Sequence, residues 1–205
     1  MRLGIFGGSF DPVHYGHLLI AETCLQKCRL DQIWFIPAGV PPHKQNLSLA
    51  PAQQRIEMLH LAIAGHQSFR VSSIEVDRGG ISYTVDTLRE ISSQQPSAEL
   101  YFLMGADSLN DLPTWREPNS ICTLATPIVV RRKGSPEPRF EVLNGILPAD
   151  RLHLAKAQQV EMPVLEISST ELRRCVRVQQ SVRYQTPRAV EKYIESHQLY
   201  APHHS

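Results

Sequence analysis

Short apolar runs alternate with amphipathic stretches along most of this chain of 205 residues. Strands are predicted for the apolar runs at 3–6, 33–36, 100–104 and 128–130 and for the alternating stretch at 69–76. Helices are predicted from the spacing at 17–28, 52–64 and 84–92, and two later helices from Ser168 and Pro187 onward. Because strands that alternate with helices form parallel sheets covered on both faces, the pattern predicts an α/β fold with a mostly parallel sheet.

The length of the chain is that of one sizeable domain. We expect a single domain over 1–205, with a core at 1–180 and a small C-terminal helix and tail at 181–205. The sequence contains no internal repeat and no low-complexity tract. The proline-rich segment 39–51 is predicted to be a loop, and 135–151, which matches no motif, is predicted to be a variable loop region.

Positive and negative side chains nearly balance, since Lys and Arg number 21, Asp and Glu number 20, and the formal net charge is +1. A general attraction to nucleic acid or to an anionic membrane is therefore not expected, and any anion site must be local. No apolar run approaches the ~20 residues of a membrane span. The first residues also do not resemble a signal peptide. We expect a cytoplasmic protein without nucleic-acid or membrane partners.

The four cysteines show no paired Cys-x-x-Cys spacing. Cys24 and Cys28 lie four residues apart on one face of a predicted helix, where they could bridge a metal ion. Buried thiols in a reducing compartment are the favoured interpretation.

The segment that follows the first predicted strand is the richest in candidate chemistry. Gly7 and Gly8 allow a tight turn and a close approach of the backbone to a ligand. Gly16 then begins a helix, whose free N–H groups and positive dipole end favour phosphate. His14 and His17 lie on either side of this helix start and can donate further hydrogen bonds to phosphate oxygens. The segment therefore predicts a phosphate-binding site.

Other interpretations of this segment are weaker. It has neither the Gly-x-Gly-x-x-Gly pattern nor the Gly-Lys-Ser/Thr of a P-loop, which disfavours a dinucleotide oxidoreductase. An ordinary turn followed by a capped helix remains an alternative. A metal site is a further alternative, although a His-x-x-His pair without nearby cysteines or acidic residues is an incomplete ligand set.

A second candidate anion site lies near the predicted helix at Ser168. The hydroxyl groups of Ser168, Ser169 and Thr170 precede this helix, and Arg173 follows one turn later. Hydroxyls and free N–H groups at a helix start, together with a guanidinium, suit a phosphate. The alternative is an ordinary helix cap with a surface arginine.

Several segments resemble one superfamily of enzymes. Residues 8–17 read Gly-Ser-Phe-Asp-Pro-x-His-x-Gly-His, which resembles the signature of the nucleotidyltransferases with a His-x-Gly-His motif. Further segments are similar, in order, to the bacterial nicotinate-mononucleotide adenylyltransferases: 36–38 with 41–44, 81–88, 105–108 with 112–115, 167–173 and 187–200. The resemblance extends from Leu3 to Tyr200. It departs from the family's usual Tyr-Leu-Val-Pro at 184–187, which reads Tyr-Gln-Thr-Pro.

Related families match less well. Phosphopantetheine adenylyltransferases share the first loop but lack the segments around Tyr83 and Trp115. Cytidylyltransferases close their site with an Arg-Thr-x-Gly-type segment that is absent from this sequence. Archaeal-type nicotinamide-mononucleotide enzymes usually carry Arg-Phe-Gln-Pro where this chain has Ser-Phe-Asp-Pro at 9–12.

The resemblance implies a Rossmann-like, doubly wound fold and the transfer of an adenylyl group from ATP to nicotinate mononucleotide, with Mg²⁺ bound through the ATP phosphates. The residues it implies for catalysis are His14, His17, Lys44 and Arg173. Those it implies for ATP binding are Gly7, Gly8, Ser9, Phe10, His14, Gly16, His17, Gly105, Asp107, Ile167, Ser168, Ser169, Thr170 and Arg173. Those it implies for nicotinate mononucleotide are Lys44, Tyr83, Thr84, Trp115 and Arg132. No metal ligand from the protein is expected.

Simpler roles exist for some of these side chains. Lys44 and Arg132 would ordinarily be solvated, Trp115 would ordinarily belong to the core, and Asp107 would ordinarily cap a helix rather than bind a ribose. Alternative functions are adenylyl transfer to nicotinamide mononucleotide or phosphopantetheine, and a sensor that binds ATP without turnover. The preference for a nicotinate carboxylate over an amide comes from the resemblance alone, and a homo-oligomer is left open.

Overall fold

A six-stranded sheet forms the centre of the protein, whose computed structural model describes residues 1–40, 49–134 and 136–202. Every strand pair in it is parallel, and the strand order is β3-β2-β1-β4-β5-β6. The strands are β1 (Arg2–Gly8), β2 (Gln32–Pro37), β3 (Phe69–Val71), β4 (Glu99–Gly105), β5 (Ala125–Arg132) and β6 (Val160–Met162). The sheet predicted from the alternating pattern is thus confirmed.

Helices connect the strands and cover the sheet. They are α1 (Tyr15–Lys27), α2 (Ala52–Ile63), α3 (Ile74–Arg78), α4 (Thr84–Gln94), α5 (Ala106–Asp111), α6 (Pro118–Leu124), α7 (Ala149–Ala157), α8 (Ser169–Arg177) and α9 (Arg188–Ser196). Short 3₁₀ turns lie at Leu112–Thr114 and Phe140–Leu143. None of the helices in the described part of the chain is long and apolar enough to cross a membrane.

Each face of the sheet has its own apolar core because successive side chains of a buried strand point to opposite faces. In β4, Tyr101 and Leu103 join the core that contains residues of α1, α2 and α9. Leu100, Phe102 and Met104 join the opposite core, with residues of α4, α5, α6 and α7. The helices therefore lie on both faces, which makes the sheet doubly wound.

The strand order reverses between β1 and β4. The chain places β2 and β3 on one side of β1 and then returns to place β4, β5 and β6 on the other side. In sheets of this kind, ligands bind in the crevice beyond the carboxyl ends of the strands at the point of reversal. β1 ends at Gly8 and β4 ends at Gly105, so the two glycine-containing segments lie at this crevice.

Two sequence predictions about local structure are wrong. The stretch 69–76 is not one strand, because β3 ends at Val71 and α3 begins at Ile74. Ser73 is the N-cap residue of α3, and its carbonyl accepts a hydrogen bond from the amide of Asp77 (2.8 Å), which closes the first helical turn. The stretch 135–151 is not simply a variable loop, since it contains the 3₁₀ turn Phe140–Leu143 and the start of α7.

The four cysteines are buried and free, as predicted. Burial raises the pKa of the Cys24 thiol, and the neighbouring Cys28 raises it further. A thiol with a raised pKa stays protonated and is a poor metal ligand. Both side chains pack in the core beneath α1.

Candidate active site

The loop after β1 leads into the N-terminus of α1 at the point where the strand order reverses. His14 is the N-cap residue, with an extended backbone (φ −146°, ψ 170°), and the first turn of α1 contains no acidic side chain. The positive end of the helix dipole is therefore not neutralised by the helix itself. An anion can bind there.

The rings of His14 and His17 are stacked at this helix start, with centroids 3.7 Å apart and an interplanar angle of 24°. The backbone N–H of His14 donates a hydrogen bond to Nδ1 of His17 (3.3 Å). Nδ1 of His17 therefore carries no proton, and the ring's proton lies on Nε2. His17 thus presents an N–H donor whose tautomer is fixed by the backbone.

His14 differs from its neighbour in burial. It is only 6% exposed, and burial lowers its pKa from 6.5 to about 4. Its Nδ1 atom is buried and has no hydrogen-bond partner among the described residues. An unpartnered buried polar atom next to a cleft is a group that a ligand can satisfy.

Gly16 makes this arrangement of His14 sterically feasible. A Cβ atom at Gly16 would lie 2.9 Å from Nδ1 and Cε1 of the His14 ring. Real Cβ atoms do not approach other heavy atoms so closely, so any other residue at this position would displace the imidazole.

A second helix N-terminus, that of α8, faces the same loop. Ser168 caps α8 by accepting a hydrogen bond from the backbone N–H of Glu171 (3.2 Å). Ser169 donates from its hydroxyl to the carbonyl of Pro12 (2.9 Å), which fastens α8 to the first loop. The two helix starts are thereby joined through the loop.

Arg173 extends from α8 to the same loop. Its Nη1 donates to the main-chain carbonyl of Asp11 (2.7 Å) and lies 3.7 Å from Oδ2 of the same residue. Its Nη2 donates to the hydroxyl of Thr170 (3.3 Å). The side chain is 21% exposed, so the guanidinium is fixed in place while still reaching the cleft.

A cleft of about 1060 Å³ opens between the two helix starts and the end of β4. The predicted ATP-binding residues that line it are Ser9, His14, Gly16, His17, Gly105, Asp107, Ile167, Ser168, Ser169, Thr170 and Arg173. We call this space the phosphate cleft. It brings together residues from β4, α1 and α8 that are widely separated in the sequence.

A smaller cavity of about 330 Å³ lies on the other side of the first loop. Tyr83, Thr84 and Trp115 line it, and the indole of Trp115 packs edge-to-face against Phe102 (centroids 5.9 Å apart). We call this space the aromatic cavity. Ser9 lines both spaces, so the phosphate cleft and the aromatic cavity meet at this residue.

Some of the predicted ATP and acceptor residues line the other of these two spaces, or neither of them. Gly7 and Gly8 line the aromatic cavity rather than the phosphate cleft, and Arg132 lines the phosphate cleft rather than the aromatic cavity. The side chain of Phe10 is 1% exposed and belongs to the core. Its ring lies about 3 Å from where a Cβ at Gly8 would be, so it supports the loop from below. Lys44 lies outside the described residues.

Arg116 is a residue of the aromatic cavity that the sequence analysis missed. It is the one cationic side chain among the described residues that line this cavity. Its guanidinium lies over the ring of Tyr83, 4.7 Å from the centroid, and Asp86 lies 3.5 Å away. The position directly after Trp115 was the only available signal, and an exposed arginine there would ordinarily be solvated.

The departure from the family pattern at 184–187 also has a structural role. The hydroxyl of Thr186 donates to the main-chain carbonyl of Val13 (2.7 Å) and is buried. Gln185 accepts a hydrogen bond at its carbonyl from the backbone N–H of Tyr15 (3.0 Å). These contacts hold the turn that leads into α1.

The described part of the chain contains no group of three or more His, Cys, Asp or Glu side chains that could hold a metal ion.

Residues 5–175 match the model of the cytidylyltransferase-like family. Curated relatives named probable nicotinate-nucleotide adenylyltransferase are similar over nearly their whole length. The relative from Thermomicrobium roseum is 44% identical over 97% of this chain and 91% of its own. The one from Roseiflexus sp. is 48% identical over 97% of both chains, and the one from Thermus thermophilus is 46% identical over 98% of this chain and 100% of its own.

Solved structures with the same fold include the nicotinic acid mononucleotide adenylyltransferase of Plasmodium falciparum, complexed with NaAD in one structure and with APC in another. Their TM-scores are 0.76 and 0.74 at 19% sequence identity, over 97% of this chain and 97% and 96% of theirs. At this identity the likeness shows a shared fold. The identity to the curated relatives is much higher and covers the whole site, and the chain therefore belongs to the cytidylyltransferase-like family and, within it, to the nicotinate-nucleotide adenylyltransferases.

Proposed function

We propose that this chain uses ATP and nicotinate mononucleotide to make nicotinate adenine dinucleotide and pyrophosphate, a step of NAD biosynthesis. The observation that carries this proposal is that the phosphate cleft and the aromatic cavity meet at Ser9. A triphosphate in the cleft and a pyridine nucleotide in the cavity could bring their reacting phosphates together at this shared residue. The Plasmodium falciparum relative complexed with NaAD supports the same assignment.

The phosphate cleft would hold ATP. Its triphosphate would lie against the starts of α1 and α8, where backbone N–H groups and helix dipoles favour negative charge. His14, His17 and Arg173 would donate to its oxygens. Gly105, at the end of β4, and Asp107, in the first turn of α5, would contact the nucleoside. Arg132 lies in this cleft, so we propose it as a contact of ATP rather than of the acceptor.

The aromatic cavity would hold nicotinate mononucleotide. The indole of Trp115 would stack on the pyridine ring, with Tyr83 and Thr84 forming the opposite walls. Arg116 would supply a positive charge near the carboxylate of nicotinate, a group that an amide replaces in nicotinamide. Charge-assisted hydrogen bonds are stronger than neutral ones, so such a contact would favour the carboxylate.

The reaction would be an in-line displacement at the α-phosphorus of ATP. An oxygen of the acceptor's phosphate forms the new bond to phosphorus, and the bond from the α-phosphorus to the bridging oxygen breaks, so that pyrophosphate leaves with that electron pair. A phosphate is ionised at pH 7, since its second pKa is about 6, and no protein base is needed. His17 and Arg173 would lower the barrier by stabilising the charge that develops on the leaving group.

Positioning supplies much of the remaining rate. Holding two reactants in line turns a bimolecular step into an effectively unimolecular one. Mg²⁺ carried by the triphosphate would neutralise phosphate charge and keep most of its water ligands. The described residues fit this arrangement, because the cleft presents donors for phosphate rather than a ligand set for a metal. We also keep Lys44 as a proposed phosphate contact.

The test is pyrophosphate release with ATP and Mg²⁺, offering nicotinate mononucleotide, nicotinamide mononucleotide and phosphopantetheine in parallel. We expect the highest rate with nicotinate mononucleotide. Release with only one of the other acceptors would support adenylyl transfer but would show that nicotinate mononucleotide is not the acceptor. Binding of ATP without release from any acceptor would indicate a sensor instead.

A further inference from the structure

Asp11 is a fully buried carboxylate directly beneath the phosphate cleft. Its Oδ1 accepts hydrogen bonds from the backbone N–H of Ala50 (3.2 Å) and from the hydroxyl of Tyr200 (2.5 Å). Its Oδ2 lies 3.7 Å from Nη1 of Arg173. The mechanism does not use this carboxylate directly, so its contacts require a separate explanation.

A second buried charge stabilises Asp11. The guanidinium of Arg55 is 2% exposed and donates to the carbonyls of Ser9 (2.9 Å), Ala38 (2.8 Å) and Ala50 (3.0 Å). Burial lowers its pKa, and Asp11 opposes that effect. Buried charges are costly unless they are paired and hydrogen-bonded. The guanidinium of Arg55 is hydrogen-bonded, whereas Oδ2 of Asp11 has no hydrogen-bond partner among the described residues and only the longer contact with Arg173. Arg55 thus fixes the backbone around Asp11.

Tyr200 reaches this cluster from the C-terminal end of the described chain. It has a left-handed backbone, with φ +62°, which is unfavourable for a residue with a side chain. Such a conformation persists only where the surroundings hold it, and such strain clusters at functional sites. Burial and the neighbouring Asp11 raise the pKa of Tyr200, so its hydroxyl stays a donor.

The position of Asp11 in turn sets the position of Arg173. Arg173 bonds the main-chain carbonyl of Asp11 at 2.7 Å and faces its carboxylate. A movement of Asp11 therefore displaces the guanidinium that lines the phosphate cleft. The tyrosine hydroxyl is the one side-chain donor among the described residues that bonds the Asp11 carboxylate, apart from the longer contact with Arg173.

We propose that Tyr200 is a positioning residue of the phosphate cleft: its hydroxyl holds Asp11, and Asp11 holds Arg173 in the orientation that binds the polyphosphate of ATP. The proposal rests on the proposed function of the cleft. Tyr200 itself contacts neither ATP nor the acceptor and lines neither the phosphate cleft nor the aromatic cavity.

The test compares Tyr200→Phe with Tyr193→Phe. Tyr193 is a matched control, because its hydroxyl also donates to a carboxylate, that of Glu57 (2.5 Å), but away from both cavities. We expect Tyr200→Phe to lower kcat/KM for ATP about tenfold, the effect of losing one hydrogen bond to a charged group, while KM for nicotinate mononucleotide stays within about twofold. Tyr193→Phe should leave both parameters unchanged.

The Arg173→Lys background separates positioning from general stability. If Tyr200 acts through Arg173, Tyr200→Phe should cause little further loss of kcat/KM in that background. Any decrease in Tm that Tyr200→Phe causes in the wild type should, by contrast, appear again in the double variant. An equal loss in both backgrounds would overturn the proposal, and so would a decrease in Tm with unchanged kinetics. If Tyr200→Phe does not fold, Asp11→Asn tests the link between Asp11 and Arg173, because it keeps the shape of the side chain but removes the charge that faces Arg173. The same loss of kcat/KM would support the proposal, and the same outcomes would overturn it.

ATP affinity, measured by calorimetry for the same variants without an acceptor, keeps this proposal distinct from the proposed function. A wild-type chain that binds ATP but releases no pyrophosphate would overturn the adenylyl transfer. In that case, a weaker affinity for ATP caused by Tyr200→Phe in the wild type, but not in the Arg173→Lys background, would still support the positioning role. Unchanged affinity would overturn it.

Discussion

At the scale of single residues, the stacked histidines of the first loop differ in what they offer a ligand. His14 is buried, and burial lowers its pKa to about 4. His17 is half-buried, and its tautomer is set by a backbone bond to Nδ1. The proton of the His17 ring therefore lies on Nε2, and the bond from the backbone fixes the orientation of the ring.

We expect His17→Ala to lower kcat by about 10²-fold or more, the cost of removing one oriented donor from a developing anion. Pyrophosphate release measures this effect, and circular dichroism checks that the variant folds. His153, an exposed histidine of α7, provides the control, and His153→Ala should have the kcat of the wild type. A folded His17→Ala protein with unchanged kcat would remove His17 from the mechanism.

Arg116 is the proposed contact of the nicotinate carboxylate in the aromatic cavity. We expect Arg116→Ala to lower kcat/KM for nicotinate mononucleotide about tenfold, since a charge-assisted bond is lost, while the value for nicotinamide mononucleotide changes little. Arg89 pairs with the same acidic neighbours, Asp86 and Glu117, but does not line the cavity. Arg89→Ala is thus the control, and equal losses for both acceptors in Arg116→Ala would show that its charge does not select the carboxylate.

At the scale of elements, the glycine in the first turn of α1 lowers the stability of the helix but leaves space for the His14 ring beside the cleft. Gly16 is less favourable than alanine in a helix by roughly 0.5–1 kcal/mol. A Cβ there would meet the His14 ring at 2.9 Å. We expect Gly16→Ala to lower kcat at least about tenfold by displacing this ring, with no decrease in Tm.

The His14→Ala background checks that explanation. Once the imidazole is absent, Gly16→Ala should have no further effect on kcat. A persistent loss of activity in the double variant would mean that the glycine is needed for backbone contact with the ligand and not for the histidine.

Elements with a strong pattern could be predicted from the sequence, and those that depend on tertiary contacts could not. The apolar runs of β1, β2, β4 and β5 and the helical spacing of α1, α2 and α4 are long enough to be distinctive. By contrast, α3 has five residues and β6 three, which is too short for a period to show. The sequence also could not reveal that Phe10 turns into the core, because that depends on a left-handed backbone at this residue (φ +46°).

The parts of the candidate site that lie at helix starts could be predicted from the sequence. His14, Gly16 and Ser168 lie at helix starts that local rules identify. The position of Arg132 in the phosphate cleft required the sheet topology, because β5 ends on the side of this cleft. The roles of Asp11, Arg55 and Tyr200 required contacts between distant segments. The roles given to the site residues, like the division into 1–180 and 181–205, stay predictions.

At the scale of the whole molecule, the buried neutral His14 makes stability depend on pH. Its pKa is about 4 in the folded protein and 6.5 when unfolded. Between these values the unfolded chain binds a proton that the folded chain does not, so the contribution of His14 to stability is complete above pH 6.5 and is lost as the pH falls toward 4. The difference corresponds to about 3 kcal/mol.

We expect the free energy of unfolding of His14→Asn to depend less on pH than that of the wild type over this range. Denaturant unfolding at pH 7, 6, 5 and 4.5 measures both curves, and their difference isolates His14 from other titrating groups. Parallel curves would show that the imidazole is protonated in the folded protein without penalty.

The bond between Asp11 and Tyr200 joins positions 189 residues apart. During synthesis on a ribosome, at about 5–20 residues per second, the first loop emerges roughly 10–40 s before this tyrosine can reach it. All six strands are made before then, so a nascent chain can form its sheet while the carboxylate beneath the cleft still lacks its tyrosine partner. The contact that links Asp11 to Tyr200 therefore forms only after all six strands have been made, so the sheet can assemble first and this buried bond can be added to it later.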